Sequence, residues 1–324
     1  MKVKVTTSAR LHLGFLDLNG DLGRLYGSIG VTVKAPITQL TIEDHEELVI
    51  GEMDDQLKKR ISFFLKAFSE HFKTAPRGII NLVKHIPEHK GLGSGSQLGL
   101  ALATALTKIC NISENNHALA RIAGRGLRSG IGITAFEKGG FIIDGGKTIV
   151  SGKKQCEAPP KAIMRYAFPS SWHFVLVIPE KKVGLSGEQE KEAMGYVSPS
   201  RRISEEICRL TMMQLLPALI DEDLEKFGDA VSEIDIRTGT FFKPVQGGIY
   251  SEKSSYGIIR HMIDSGAAGA GQSSWGPAVY GLAHENEVHH LADKMRDFLE
   301  RKNITGDVII TQARNRGAKI AIIP

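Results

Sequence analysis

The chain has 324 residues, 42% hydrophobic and 24% charged, so it can bury a substantial core and is longer than one average domain. Its net charge of +5 suits anionic ligands, but Lys and Arg are scattered without a run that would serve as a nucleic-acid arm, and no apolar stretch approaches the roughly 20 residues that cross a bilayer. Cys110, Cys156 and Cys208 stand far apart with no zinc-like spacing, and the alternating start at Lys2-Val3-Lys4-Val5 lacks a signal-peptide apolar region. A reduced cytoplasmic protein with a small phosphorylated ligand, and neither nucleic acid nor membrane as partner, is the expectation.

In chain order, short strands are predicted at Val3 to Thr6, Ile29 to Val33, Leu40 to Glu43 and Leu48 to Ile50, divided by glycine turns. A helix over Asp54 to Phe72 carries Ile61, Phe64, Leu65 and Phe68 at helical spacing. A strand from Gly78 to His85 leads into Pro87 to Ser96, a glycine-rich loop, and an apolar helix from Gln97 to Ile109. Ser113 is the expected N-cap of the next helix, and Phe136 to Ile143 reads as a strand pair. The Lys- and Pro-containing stretch Gly152 to Pro169 marks the division into domains 1–165 and 166–324.

The second half begins with a strand at His173 to Pro179, followed by helices at Pro199 to Leu216, Asp221 to Glu233 and Tyr250 to Asp264. A second glycine-rich loop, a strand at Ala278 to Ala283, a helix at Glu285 to Lys302 and closing strands at Val308 to Thr311 and Lys319 to Ile322 complete it. Helices on one face of an antiparallel sheet, an α+β arrangement, are the expected result. Met212 and Met213, beside Leu215 and Leu216, are expected in the core, and His289-His290 in solvent.

A helix N-terminus presents unpaired N–H groups and a partial positive charge, and glycines let an anion approach the backbone. Lys90, Gly91, Leu92, Gly93, Ser94, Gly95 and Ser96 therefore form a candidate phosphate cradle. Its pattern Pro87-x-x-x-Gly91-Leu92-Gly93-Ser94 resembles the central motif of the GHMP superfamily. Ala9 to Phe15 and Gly266 to Gln272 resemble that superfamily's first and third motifs in order and spacing. The resemblance implies a ribosomal-protein-S5-like N-terminal domain and a ferredoxin-like C-terminal one. It also adds Gly269, Gly271 and Gln272 to the phosphate-binding set, with Ser273 and Trp275 as further contacts.

The acids of the kinases are missing. Their second loop serine corresponds to Gly95, the helix glutamate to Arg121, and the Asp of S-G-x-D to Gly132. Instead, Ala9 to Gly20, Gly124 to Gly132 and Gly184 to Glu190 resemble the β-ribofuranosylaminobenzene 5′-phosphate synthases. That family implies phosphoribosyl pyrophosphate and a para-amino or para-hydroxy benzoate as substrates. Carbon dioxide and pyrophosphate are released in methanopterin biosynthesis. Magnesium, no organic cofactor, an archaeal cytoplasm and a homodimer go with it. An ATP-dependent GHMP kinase and a non-catalytic phospho-ligand binder stand as alternatives.

On the synthase reading, Arg125 and Arg128 clamp phosphate or carboxylate through their planar forks, and Arg10 with His12 share one face of the first strand. Asp17 is either a site carboxylate or a turn former beside Asn19-Gly20. Glu188 and Glu190 are either metal ligands or the acidic first turn of a helix, and Ser96 is the loop hydroxyl that would face a metal.

Overall fold

The computed structural model describes residues 1–151, 154–180, 200–250 and 252–324. Two long strands, β1 (Lys2–Asp17) and β2 (Arg24–Glu43), pair antiparallel from Lys2 with Glu43 to Asp17 with Tyr26. The short strands expected here are pieces of these two. Register shifts at Ser8/Arg10 and His12/Gly14 absorb the irregularity that reads as turns in the sequence, and they leave the Ala9 to Phe15 motif inside the ladder.

β3 (Leu48–Ile50) pairs with β4 (Gly78–Lys84), which pairs with β2. Between them α1 (Asp55–Phe72) forms as expected: Asp54 caps it, accepting from Leu57 N at 2.9 Å, and the predicted apolar stripe is buried. α2 (Ser94–Ile109) starts three residues earlier than expected, so Ser94, Gly95 and Ser96 are its first turn. α3 (Asn116–Ile122) is capped by Asn115, whose side chain accepts from Ala118 N at 3.0 Å, and not by Ser113. Phe136 ends a helix, α4 (Ile131–Glu137), where a strand was expected; its β-branched residues are buried in a helix packed against α2, so tertiary contacts override propensity. β5 (Phe141–Asp144) supplies only the second half of the predicted pair.

β6 (Lys147–Ser151), β7 (Lys154–Gln155) and β8 (Ala162–Tyr166) complete the edge of a sheet that holds nine strands among the described residues. The second sheet is antiparallel, in the order β10 (Gly269–Gln272), β11 (Val279–His284), β9 (Trp172–Pro179), β12 (Gly306–Gln312). β9 lies at its centre with all eight residues buried. The closing strand β13 (Lys319–Ile323) does not join that sheet; it returns to pair with β1, from Thr6 with Lys319 to Lys2 with Ile323. The chain therefore ends on the sheet where it begins.

α5 (Arg201–Leu210) runs through a π-helical turn at Thr211–Leu215 into α6 (Leu216–Ile220). That turn leaves Met212 and Met213 58% and 73% exposed, against expectation, while Leu215 and Leu216 are buried. α7 (Leu224–Gln246) is longer than predicted, α8 is Lys253–Asp264, and α9 (Val288–Arg301) carries His289 and His290 in solvent as expected. Among the described residues no helix is long and apolar enough to cross a membrane.

The class is α+β. One core spans both sheets: Leu11, Leu13 and Phe15 of β1 join Phe174 and Tyr280 of the second sheet and Phe227 of α7. Within it Phe168 meets Trp172 and Phe227 edge-to-face and those two rings tilt against each other, with centroids 5.1 to 5.4 Å apart. This shared core fixes the N-terminus of α2 against the turn that links β10 to β11.

Candidate active site

Gly93 takes a left-handed conformation (φ 80°) at the N-cap of α2, and no side chain caps that helix. Gly91 is also left-handed (φ 76°), and a Cβ there would collide with the Ser273 carbonyl. Ser273 Oγ donates to Gly91 O at 2.7 Å and accepts from His12 N at 3.0 Å. Ser274 N donates to His12 O at 3.2 Å, Ala278 N to Lys90 O at 3.2 Å, and Arg10 N to Leu92 O at 3.1 Å. These bonds stitch together the first strand, the glycine loop and the β10–β11 turn, the three segments that carry the sequence motifs.

The cleft so formed encloses about 210 Å³. Arg10, Arg125 and Arg128 line it together with Gly91 to Ser96, His12, Arg60, His89, Ser274 and Trp275, and no carboxylate does among the described residues. Arg10 Nη1 donates to Gly91 O at 2.6 Å, and its chain covers Gly93. The Arg125 guanidinium covers Gly95, where a Cβ would approach its Cζ to 2.8 Å. Three guanidinium groups therefore surround an uncapped helix N-terminus, an arrangement that attracts a polyanion.

Supporting groups set the charge states. Burial, and then Arg10, lower the His12 imidazole to about 3, so it is neutral; its ring sits 4.6 Å from that of Phe15. Asp144 holds the turn that presents Arg128, accepting from Gly130 N at 2.8 Å, Ser129 Oγ at 3.2 Å and Gly146 N at 2.9 Å. Burial pushes its carboxyl up to about 6 against the pull of these bonds. Glu88 is ion-paired with Arg60, and His85 Nε2 lies 3.6 Å from it. Burial alone would raise Glu88, but His85 and Arg60 outweigh it and hold the group at about 2.

Of the residues expected in the site, Arg10, His12, Gly91, Leu92, Gly93, Ser94, Gly95, Ser96, Arg125 and Arg128 converge on this cleft, Leu92 by its backbone while its side chain enters the core. Others do not. Lys90 Nζ turns to the end of β9, donating to Pro179 O at 2.6 Å and Glu180 O at 2.7 Å. Asp17 serves the turn and α5: it accepts from Asn19 N at 2.6 Å, Gly20 N at 3.3 Å and Ser204 Oγ at 2.9 Å, away from the cleft.

Gly269 and Gly271 belong to a buried strand, not to a phosphate loop. A Cβ on Gly269 would run into the backbone of Gly228 on α7, and one on Gly271 would reach Tyr280 Oη at 2.7 Å and Asp235 Cγ at 2.9 Å, so glycine there serves packing. Gln272 faces a smaller recess behind His12. Glu188 and Glu190, with the Gly184 to Glu190 segment, lie outside the described residues.

Ser96 packs against Gly132, whose Cβ would lie 3.2 Å from Ser96 Oγ. Among the described residues no group of three or more His, Cys, Asp or Glu side chains could hold a metal ion. Sequence reading missed Arg60, Glu88, His89, Ser274 and Asp144. The Asp144-Gly145-Gly146 end of a strand was the one local signal; Arg60, on a helix distant in sequence, had none.

Residues 58–140 match the GHMP kinases N terminal domain and residues 215–301 the GHMP kinases C terminal domain. The chain is 33% identical to the beta-ribofuranosylphenol 5′-phosphate synthase of Methanothermobacter thermautotrophicus over 97% of each chain. The chain belongs to the β-ribofuranosylphenol 5′-phosphate synthase family. A second archaeal synthase of that name, from Methanocaldococcus jannaschii, is 30% identical over 98% of this chain and 99% of its own. The GHMP fold of this synthase-family chain is shared with the homoserine kinase of Cytophaga hutchinsonii at a TM-score of 0.67 and 16% identity, over 99% and 97% of the two chains. In this member of the synthase family, Arg121 stands exposed on α3 outside the cleft, and Gly132 abuts Ser96.

Proposed function

We infer that this chain is a pentosyltransferase that joins the ribosyl 5-phosphate of phosphoribosyl pyrophosphate to a para-substituted benzoate in methanopterin biosynthesis. The single observation that supports the reading in this structure is the convergence of three arginines on the α2 N-terminus. An uncapped helix N-terminus ringed by Arg10, Arg125 and Arg128 sits beside an aromatic wall of Phe15 and Trp275. The phenol in the names of the archaeal relatives supports 4-hydroxybenzoate as the acceptor.

The C1–O bond of the donor breaks with its electron pair leaving on pyrophosphate. The ring carbon that bears the carboxylate attacks C1, and a C–C bond forms. The bond to the carboxyl group then breaks, carbon dioxide departs, and its pair restores the aromatic ring. No covalent enzyme intermediate is required. The chain's own residues supply charge and position: the guanidinium groups and the α2 N–H groups receive the charge that develops on the leaving diphosphate, in a site fixed before the reaction. Neutral His12 brings no competing charge. Magnesium is expected to arrive as the counter-ion of the diphosphate. A homodimer and a cytoplasmic location complete the proposal, and sedimentation of the purified chain tests the former.

The deciding experiment incubates the purified protein and Mg²⁺ with phosphoribosyl pyrophosphate and carboxyl-¹⁴C 4-hydroxybenzoate or 4-aminobenzoate, with ATP consumption as the control. Release of ¹⁴CO₂ that depends on both substrates is expected. ATP turnover without release would move the assignment to a kinase.

A further inference from the structure

Behind His12 lies a second, smaller space. Its floor is α7, where the buried Asp235 carboxylate accepts from Gln272 N at 3.0 Å and from Tyr250 Oη at 2.8 Å. Burial pushes this carboxyl up to about 7, although both bonds pull the other way. The recess measures about 20 Å³, room for one water-sized group. Four buried polar atoms of the residues around it have no partner: His12 Nε2, Thr238 Oγ1, Gln246 Oε1 and Gln272 Oε1. Such a concentration of unsatisfied atoms is unusual, because each costs about 1–3 kcal/mol when nothing meets it.

The chemistry of these atoms suits a hydroxyl. The two amide oxygens accept, the Thr238 hydroxyl accepts or donates, and the neutral His12 ring and the raised Asp235 carboxyl can each take either role. The recess therefore fits a small, uncharged group that donates a hydrogen bond and can accept one. Two glycines help to shape it. A Cβ on Gly14 would press on Ile234 at 2.7 Å and Thr238 Oγ1 at 2.9 Å, and one on Gly239 would collide with Ile249 O.

The recess adjoins the cleft across a shared wall. His12, Phe15, Ser274 and Trp275 line both spaces, and Phe242 packs on Trp275 with ring centroids 4.4 Å apart. A flat aromatic ring entering from the cleft would meet aromatic walls and carry only its substituent into the polar end. In a para-substituted benzoate the carbon opposite that substituent then points back toward the arginines, where the donor must lie.

We propose that this recess is the site that reads the para hydroxyl of the arene acceptor, with Asp235, Thr238, Gln246 and Gln272 as specificity-determining residues. The proposal rests on the synthase reading above. A recess that only houses a structural water would use the same atoms without touching the acceptor, and this is the outcome the test must separate.

Equilibrium binding of 4-hydroxybenzoate and of benzoate, which lacks the hydroxyl, is measured by calorimetry on the full chain with and without Thr238→Val, a substitution that keeps shape and removes the hydroxyl. In the unmodified protein the para hydroxyl is expected to strengthen binding by about tenfold or more, and in the variant that ratio is expected to fall toward one while benzoate binds both alike. Gln246→Leu repeats the comparison should the first variant be poorly folded. In turnover, both variants are expected to raise the KM for 4-hydroxybenzoate and leave the KM for phosphoribosyl pyrophosphate within about twofold. An unchanged hydroxybenzoate-to-benzoate ratio in well-folded variants, or a ratio near one in the unmodified protein, would overturn the assignment. Because calorimetry needs no turnover, absence of ¹⁴CO₂ release would count against the synthase reading and leave this test standing.

Discussion

The guanidinium of Arg125 lies directly over Gly95, the second residue of α2, at a distance that leaves no room for a side chain. A serine at this position, as in the kinases, and the arginine cannot both occupy that space. Gly95→Ser is therefore expected to displace Arg125 and to raise the KM for phosphoribosyl pyrophosphate by about tenfold or more, the worth of one charge-assisted hydrogen bond to the diphosphate. Steady-state kinetics with saturating acceptor would show it, and an unchanged KM would remove Arg125 from the donor site.

Arg128 sits on the cleft in a turn held from behind by Asp144. Arg128→Ala is expected to lower kcat/KM for the donor by roughly 10- to 100-fold. The thermal midpoint should move by no more than about 2 °C. A variant with normal kinetics would place Arg128 on the surface.

Gly91 joins the loop to Ser273. Gly91→Ala must tolerate a left-handed residue, at about 1–2 kcal/mol, and a collision with the Ser273 carbonyl. We expect a fall in stability by urea titration together with loss of activity. Ser273→Ala, which removes only the hydroxyl shared by Gly91 O and His12 N, should produce a milder loss of the same kind.

Asp144 gives a pH signature. Its carboxyl is raised in the folded protein from 3.8 to about 6, so its contribution to stability is fully present below about pH 3.8 and is lost as pH rises through about 6. Two units correspond to about 3 kcal/mol. Relative to Asp144→Asn, the unmodified protein should lose stability by up to that amount between about pH 4 and pH 8. Urea unfolding at several pH values measures it, and a difference independent of pH would contradict the assignment.

His12 runs in the opposite sense. Its folded value, lowered from 6.5 to about 3, means that it stabilises above pH 6.5 and ceases to as pH falls toward 3, because only the unfolded chain takes up the proton in that window. In a ¹⁵N-labelled sample at pH 5 the His12 ring should remain neutral. A His12 ring that titrates near 6.5 would mean that it is not enclosed.

Much of the site was legible before any coordinates. The Gly91 to Ser96 loop before an apolar helix is a local signal, since φ, N–H direction and glycine clearance are set within a few residues, and the structure places it on the cleft at the N-terminus of α2. The alternation of Arg10 and His12 likewise placed both on the cleft side of β1. The third motif was misread for a physical reason. Glycines in Gly269 to Gln272 look like a ligand loop, yet they are required by the backbone of Gly228 and by Asp235 and Tyr280, all contributed from elsewhere in the chain.

By itself, then, the sequence determined the α+β class, the α1 helix, the glycine loop before α2 and the family, because each is written in neighbouring residues or in the order of motifs. Only the tertiary structure decided that β13 closes on β1, that Lys90 and Asp17 serve structure, and that Asp235, Thr238 and Gln246 of α7 open a polar recess behind His12. Those outcomes depend on which distant segments share a core, and burial alone determines whether a lysine, an aspartate or a glycine is left to meet a ligand.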